Sequence, residues 1–162
     1  ALEKVSSYVE IGKREGAKLL YGGKPVKVQG KGYFFEPTVF TNCNIDMSIC
    51  QDEIFGPVLS IIEAENFDDA IKKINSVDYG LSSAIYTESI SYAFKAMKKI
   101  EAGLTYINSS TIGSEVHLPF GGVKQSGNAR EGGIHGIDEF SEIKTIYVDY
   151  SGKLQKAQID TS

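Results

Sequence analysis

The first residues of the chain place apolar side chains at helical spacing, with charged residues between them. Leu2, Val5 and Val9 recur every three or four positions, which predicts a helix over 2–15. Gly16 follows, and glycine commonly ends a helix because it adopts a left-handed conformation without steric cost. We therefore expect the chain to open with an amphipathic helix that stops at Gly16.

Beyond this helix, extended and helical patterns alternate. Extended chain is predicted for five short, largely apolar segments: Lys18–Tyr21, 33–40, 57–62, 81–86 and Leu104–Ile107. The segment 57–62 is nearly continuous in Val, Leu and Ile and predicts a buried strand, whereas Pro37 disfavours a central paired position. Helices are predicted over 68–74, with Asn66 as its N-cap, and over 90–100. This rhythm predicts an α/β fold with an open, largely parallel sheet flanked by helices.

The character of the chain changes after Asn108. Glycines are frequent in 109–136, which predicts a long loop, and 140–150 returns to extended alternation. No internal repeat or linker divides the chain. The expected organisation is one unit over 1–142, a final strand over 143–150 and a flexible polar tail over 151–162.

Charge and composition narrow the class of partner. The net charge of -4 argues against a nucleic-acid surface, which requires clustered Lys and Arg. No apolar run approaches the roughly 18 residues that a membrane span needs, and no hydrophobic signal segment opens the sequence. Cys43 and Cys50 are too few for a disulfide framework or a zinc site, and no other metal-ligand spacing occurs. We expect a cytoplasmic protein with no metal, membrane or nucleic-acid partner.

The run from Glu53 to Val58 reads Glu-Ile-Phe-Gly-Pro-Val and leads into the predicted buried strand. The simpler interpretation is a solvated turn whose Gly-Pro pair sets the entry of that strand. The functional interpretation starts from position, since ligands bind at strand ends in α/β sheets. A carboxylate there accepts two hydrogen bonds from a ribose diol, and an aromatic residue two positions on supports a flat ring.

Two further runs accompany this one. Asp-Tyr-Gly-Leu-Ser-Ser-Ala spans 78–84, and Pro-Phe-Gly-Gly-Val-Lys-Gln-Ser-Gly spans 119–127, ahead of Arg130 and Glu131. In this order and spacing, the three runs resemble the aldehyde dehydrogenase superfamily, and the resemblance covers about residues 5–150. The chain is similar to the carboxy-terminal portion of that family's subunit, comprising part of the catalytic domain and the oligomerisation strand.

The resemblance implies roles for four residues. Glu53 is expected to hold the nicotinamide ribose of NAD or NADP, and Phe55 to lie against the nicotinamide end. Phe120 is expected to line the aldehyde pocket. Asn108 is expected to brace the active site, ahead of a variable loop over 109–118 that shapes substrate choice.

One position departs from the family's pattern. The family usually has glycine before the Arg-Glu pair, and this chain has Ala129. If that position required a positive φ, alanine would cost roughly 1 kcal/mol.

The activity implied by the resemblance is oxidation of an aldehyde or semialdehyde to the carboxylic acid. In the family, a cysteine thiolate attacks the aldehyde, hydride passes to NAD(P)+, and a glutamate-activated water releases the acid. No residue here matches that cysteine or that glutamate, so the chain alone is expected to be inactive. Cys50 is a poor substitute, because Asp52 and Glu53 beside it would raise the pKa of its thiol. For His117, in the substrate loop, a loop or interface role is a simpler interpretation than substrate contact.

Two other interpretations remain open: a non-catalytic binding or scaffold module derived from this fold, and one half of a split enzyme. Glu53 and Phe55 favour an enzyme part, since a scaffold has no need of them. By resemblance, the strand 143–150 pairs with a neighbouring subunit and joins a homo-oligomer. The simpler alternative makes it the last strand of the chain's own sheet.

Overall fold

The computed structural model describes residues 1–150 and 152, and its first helix ends as the sequence predicts. Helix α1 spans Leu2–Arg14, and Gly16 follows with a φ of +96°. The N–H of Gly16 donates to Lys13 O at 3.2 Å, and the next N–H donates to Gly12 O at 3.0 Å. These bonds satisfy carbonyl groups that the last turn leaves unpaired, so the glycine ends the helix and turns the chain into a strand.

Five strands and one short helix follow. Their bounds are β1 Lys18–Tyr21, β2 Pro25–Val28, β3 Lys31–Phe35, β4 Thr38–Thr41, α2 Ser48–Gln51 and β5 Val58–Ser60. β4 lies between β1 and β5, antiparallel to β1 and parallel to β5. β2 and β3 form a separate hairpin, and Gln29 and Gly30 at its turn both have positive φ. The predicted extended segment 33–40 is divided between β3 and β4, with Pro37 outside both.

Helix α1 packs on β4 and α2 to form the main core. Val5 and Val9 are buried in one cluster with Phe40, which is fully enclosed, and with Ile49 of α2. Gly12 continues this face of the helix, and a Cβ there would lie only 2.9 Å from Ile49 Cδ1. Burial of each such aliphatic side chain contributes ~1.5–3 kcal/mol, so this cluster holds the first part of the chain together.

The second part of the chain contains a strand–helix–strand unit. Its elements are α3 Phe67–Asn75, β6 Tyr79–Gly80, β7 Ser82–Ile85, α4 Ile90–Lys99, β8 Leu104–Ile107, β9 Val123–Lys124 and α5 Gly133–Glu139. β7 and β8 are parallel and joined through α4, whereas β6 pairs antiparallel with β9. The predicted helices 68–74 and 90–100 are confirmed. β9 and the start of α5 lie in the segment 109–136, which the sequence predicts as a loop.

Helix α3 begins at the cap that the sequence predicts. Asn66 Oδ1 accepts a hydrogen bond from Asp69 N at 3.0 Å, and Asp69 Oδ2 accepts one from Glu65 N at 3.0 Å. Lys73, one turn later, pairs with Asp69 at 2.7 Å. The hydrogen bond from Lys73, and then that from Glu65, lower the pKa of the Asp69 carboxyl. Local sequence is therefore sufficient to specify where this helix starts.

The sheet prediction is correct only in part. The chain is α/β, but its described residues form four small sheets instead of one open, largely parallel sheet. Among the strands that the structure describes, only the β4–β5 and β7–β8 pairs are parallel. β5 covers half of the predicted strand 57–62, and Leu59 is 58% exposed, so this strand is not buried. β5 is an edge strand, because no other described strand pairs with its second edge.

Residues 141–150 form neither helix nor strand. Ile143 is 99% exposed, and the other apolar side chains of this segment are exposed too. An isolated extended segment cannot satisfy its own backbone groups, so it forms a strand only when another strand is available. Residues 143–150 are thus not a last strand of the chain's own sheet in this structure. Their pairing with another subunit stays a prediction. The predicted tail 151–162 lies outside the described residues except for Gly152.

We predict that Asn66→Ala destabilises the chain by about 1 kcal/mol, because the N–H of Asp69 loses its acceptor. Urea unfolding followed by far-ultraviolet circular dichroism measures the change. Asn66→Asp is the matched control, since aspartate caps helices as well as asparagine does. An equal loss in both variants would show that the side-chain acceptor is not what stabilises this helix start.

Candidate active site

Glu53 and Phe55 lie on the segment that connects α2 to β5. Ile54, between them, is buried in the core at 8% exposure. Its neighbours on both sides are exposed, and Phe55 is 82% exposed. The buried isoleucine anchors a short segment that presents a carboxylate and an aromatic ring to solvent.

Phe55 has an unusual backbone conformation, with a φ of +53°. A left-handed conformation is rare for a bulky residue and costs of the order of 1–3 kcal/mol. A ring that is 82% exposed does not recover this cost through burial within the described residues. The segment therefore presents a strained, exposed ring beside an exposed carboxylate, and the role of both residues stays a prediction.

Helix α1 contacts the same segment along one face. Tyr8 Oη donates a hydrogen bond to Asp52 Oδ2 at 3.1 Å, and Lys4 Nζ donates one to Glu53 O at 2.9 Å. Lys4 Nζ also lies 5.8 Å from the centroid of the Phe55 ring, within the range of a cation–π interaction. The first turns of α1 thus contact three successive parts of the segment.

Gly56 permits this close approach of α1. A Cβ at position 56 would overlap Cγ2 of Val5, and Gly56 does not have a positive φ. The requirement for glycine therefore comes from packing against the helix and not from backbone conformation. Packing against Val5 therefore explains why the Glu-Ile-Phe-Gly-Pro-Val run has glycine at position 56.

An open cleft of about 390 Å³ lies beside the segment, and Glu53, Phe55 and Cys50 are among its lining residues. Burial raises the pKa of the Cys50 thiol to about 11, and a hydrogen bond with Ser60 offsets only part of this rise. The sequence predicts the direction correctly but attributes it to the acids that follow Cys50, whereas burial is the largest cause. A thiol with this pKa is protonated at neutral pH and is a poor nucleophile.

Asn108 ends β8 and ties it to the end of β7. Its Oδ1 accepts a hydrogen bond from Thr87 N at 2.7 Å, and its Nδ2 donates one to Thr87 O at 3.0 Å. Its backbone N–H donates to Ile85 O at 2.8 Å. Its φ is +52°, a conformation that asparagine tolerates better than most residues. The side chain therefore extends the pairing of two parallel strands beyond their ends and fixes the start of the loop 109–118.

Phe120, at the far end of that loop, is held by a short antiparallel bridge to Glu131. The backbone N–H of each residue donates to the carbonyl of the other at 2.6 Å. Arg130 Nη1 donates to Gly122 O at 2.7 Å and to Ala129 O at 2.9 Å, which closes the loop on itself. Ala129 does not have a positive φ, so the replacement of the family's glycine introduces no such strain.

The glycines of the Pro-Phe-Gly-Gly run allow the backbone to approach other parts of the chain closely. A Cβ at Gly103, just before β8, would overlap Gly121 O, and a Cβ at Gly121 would overlap Ala129 O. A Cβ at Gly122 would overlap the side chain of Ser126. The loop therefore rests directly on the backbone that leads into β8.

A second cleft, of about 720 Å³, lies between β8 and the loop. Tyr106 Oη donates to Gly113 O at 2.7 Å, which holds the loop over the strand. Leu104, Ile112 and Leu118 contribute apolar side chains to this cleft. Thr105, Ser114 and Glu115 add polar groups to the lining. Apolar side chains combined with a small number of polar ones are typical of small-molecule binding.

The four predicted site residues do not share one cleft. Glu53 and Phe55 line the smaller cleft. Asn108 and Phe120 line neither the smaller cleft nor the larger one, and instead hold the two ends of the loop. His117 is exposed on the loop itself.

Lys4 and Tyr8 are the contacts that sequence reasoning missed. Their spacing of four residues places them on one helical face, which was the available signal. No local sequence pattern predicts that this face contacts the segment beyond α2, because Tyr8 and Asp52 are 44 positions apart.

The described residues contain neither a metal-binding cluster nor a membrane-spanning helix. No group of three or more His, Cys, Asp or Glu side chains there is placed to hold a metal ion. Among the helices of residues 1–150, none has the length and apolar character needed to cross a bilayer.

Comparison with known proteins extends over nearly the whole chain. Residues 1–146 match the model of the Aldehyde dehydrogenase family. A betaine aldehyde dehydrogenase from Brucella anthropi is 45% identical over 149 residues, which are 91% of this chain and 30% of that protein. An NAD-dependent aldehyde dehydrogenase from Sinorhizobium meliloti has a similar structure, with a TM-score of 0.88 and 39% identity over 95% of this chain and 30% of that one. An indole-3-acetaldehyde dehydrogenase in complex with NAD+ gives a TM-score of 0.84 and 38% identity, over 88% of this chain and 29% of that one.

We predict that Cys50 is slow to alkylate in the folded chain. In a Cys43→Ala variant, which leaves one thiol, iodoacetamide at pH 8 should react at least about tenfold more slowly with folded than with urea-unfolded protein. This substitution removes a smaller cause of the raised pKa of Cys50, and burial, the largest cause, remains. The thiolate is the reactive form, and the rise of its pKa to about 11 reduces the thiolate fraction. Alkylation rates from pH 6 to 11, followed by mass spectrometry, should increase throughout this range. A plateau near neutral pH would instead identify an activated thiolate.

Proposed function

Since this chain belongs to the aldehyde dehydrogenase family, we propose that it forms the carboxy-terminal part of an NAD(P)-dependent aldehyde dehydrogenase subunit. The chain spans about 30% of the length of the relatives that it matches. The order of its three sequence runs supports the carboxy-terminal placement, with 1–142 in the catalytic domain. The complete subunit oxidises an aldehyde or semialdehyde to the carboxylic acid, a class that the names of its relatives support.

The observation that carries this proposal is the strained, exposed ring of Phe55 next to the carboxylate of Glu53. An open cleft beside an exposed carboxylate and an exposed ring fits the nicotinamide end of a dinucleotide. Glu53 accepts hydrogen bonds from the ribose hydroxyls, and Phe55 supports the flat ring. The dinucleotide, when bound, supplies the hydride acceptor, and a solved structure similar to this chain is a complex with NAD+.

The aldehyde side of the site is the larger cleft under the loop 109–118. Apolar side chains bind the body of the substrate, and the loop sets which aldehydes fit. Asn108 fixes one end of the loop through its two hydrogen bonds to Thr87, and the bridge of Phe120 to Glu131 fixes the other. In the complete subunit, these anchors place the Phe120 ring at the border of the aldehyde pocket.

The nucleophile and the general base of the reaction lie outside these 162 residues in this proposal. Both cysteines of the chain are poor candidates, since Cys43 is buried and burial raises the pKa of Cys50. The chain therefore supplies positioning groups, and on its own it does not oxidise aldehydes. The nucleophile and the base can be supplied either by the rest of one continuous subunit or by a second polypeptide that completes the subunit.

Assembly through 143–150 is the last part of the proposal. Ile143, Ile146 and Val148 are exposed, and this segment joins no sheet within the described residues. Pairing with a sheet edge of a second subunit satisfies the backbone of the segment and covers these side chains. The complete protein is accordingly a homo-oligomer, with a dimer as its smallest unit.

We predict that Glu53→Gln slows hydride transfer. The matching 149-residue segment of the Brucella anthropi betaine aldehyde dehydrogenase is replaced by that of this chain, and the exchange enzyme is studied in single turnovers. Loss of the ribose contact should slow hydride transfer by roughly 10- to 100-fold, because small displacements of a reacting group cost this much in rate. NAD+ affinity should change less, since this contact is one part of a long binding site.

The matched control is Glu65→Gln, which removes an exposed carboxylate that lines neither of the two clefts. Its hydride step should equal that of the unmodified exchange enzyme. An unchanged hydride step in Glu53→Gln would remove the ribose assignment. An exchange enzyme that folds and binds NAD+ but transfers no hydride would favour the scaffold interpretation.

We predict that removal of 142–162 lowers the oligomeric mass, because the pairing segment is lost. For this test the exchange enzyme carries all 162 residues of this chain at its carboxy-terminal end, and light scattering of the full and shortened forms at equal concentration measures the mass. Removal of 152–162 alone keeps the segment and is the matched control. If both shortened proteins keep the full mass, residues 143–150 do not join the subunits.

A further inference from the structure

The left-handed conformation of Phe55 requires a restraint, since an exposed residue without one relaxes to a negative φ. On its carboxyl side the restraint is the packing of Gly56 against Val5. On its amino side the buried Ile54 fixes the chain, and the side chain of Asp52 makes the next contact with α1.

The contact of Asp52 is a single hydrogen bond. Its Oδ2 accepts from Tyr8 Oη at 3.1 Å, and both side chains lie near the protein surface. Burial, and after it the hydrogen bond and negative charge of Asp52, raise the pKa of the Tyr8 phenol. The proton that Tyr8 donates is therefore retained throughout the neutral pH range.

Tyr8 makes a second contact through its ring. Lys4 Nζ lies 5.7 Å from the centroid of the Tyr8 ring and 5.8 Å from that of the Phe55 ring. The same ammonium group donates to Glu53 O at 2.9 Å. The hydroxyl of Tyr8 thus holds the start of the segment, and its ring helps to place the cation that contacts the rest.

We propose that Tyr8 is a positioning residue for the cofactor site, whose hydroxyl holds Asp52 and thereby the backbone that presents Glu53 and Phe55. This inference rests on the proposed function of those two residues. Tyr8 does not touch the cofactor in this proposal. Loss of the Tyr8 hydroxyl shifts the positions of the Glu53 carboxylate and the Phe55 ring, although both side chains are still present.

The test compares Tyr8→Phe with Tyr33→Phe. Tyr8→Phe removes the hydroxyl and keeps the ring near Lys4, whereas Tyr33 is 91% exposed in the β2–β3 hairpin and is the matched control. Two measurements are made. The first is amide hydrogen exchange in the 162-residue chain at Thr38 and Val58, whose N–H groups donate to Pro57 O and Gly56 O of the segment, each at 2.8 Å. The second is single-turnover hydride transfer with NAD+ affinity in the exchange enzyme. Exchange at these amides should increase about tenfold in Tyr8→Phe, because the Tyr8–Asp52 hydrogen bond no longer opposes local opening of the segment between α2 and β5.

Hydride transfer in Tyr8→Phe should slow by about tenfold, and the dissociation constant of NAD+ should change by less than about threefold. Asp52→Asn keeps an oxygen that accepts from Tyr8 and should preserve both the exchange protection and the hydride rate, whereas Asp52→Ala should reproduce the effect of Tyr8→Phe. Tyr33→Phe should leave every measurement unchanged.

The outcomes separate this inference from the proposed function. Unchanged exchange at Thr38 and Val58 in Tyr8→Phe overturns the inference, even if Glu53→Gln slows hydride transfer. Faster exchange with an unchanged hydride step in both Tyr8→Phe and Glu53→Gln overturns the function proposed for the segment and leaves the restraint by Tyr8 standing. Equal global destabilisation by Tyr8→Phe and Asp52→Ala, with no local change in exchange, overturns the inference and shows that Tyr8 only stabilises the fold.

Discussion

The packing of α1 on β4 and α2 is the contact on which the rest of the structure depends. Val5 and Val9 share a buried cluster with Phe40 and Ile49, and Gly12 allows the helix to approach α2. Close packing of this kind fixes the orientation of the helix as well as its position. The adjacent face of the same helix, which contains Lys4 and Tyr8, contacts the segment between α2 and β5, so the core and the candidate cofactor site share one support.

This arrangement explains how a strained residue persists at the protein surface. Phe55 gains little from burial, and its left-handed backbone is maintained by its surroundings. Ile54 anchors the segment in the core, and Gly56 meets the side chain of Val5. Strain that is held by a rigid neighbour is a means of preorganising a binding group, which is consistent with the role proposed for this ring.

The second part of the chain uses backbone contacts instead of a large apolar cluster. Asn108 extends the pairing of β7 and β8 through both atoms of its amide, and close glycine contacts seat the loop on the start of β8. Lys124 Nζ donates to Asn75 O at 2.6 Å and pairs with Glu101 at 2.8 Å, which joins the ends of α3 and α4 to β9.

The sequence alone determined the features that depend on neighbours within one or two turns. The end of α1 at Gly16, the Asn66 cap of α3 and the strand Leu104–Ile107 follow from local conformational preference, and the three sequence runs identified the family. Tertiary structure decided which strands pair, because pairing depends on distant edges: β5 is exposed and 143–150 forms no strand. It also decided that burial sets the pKa of Cys50 and that Tyr8 meets Asp52, since no local pattern encodes a contact across 44 positions.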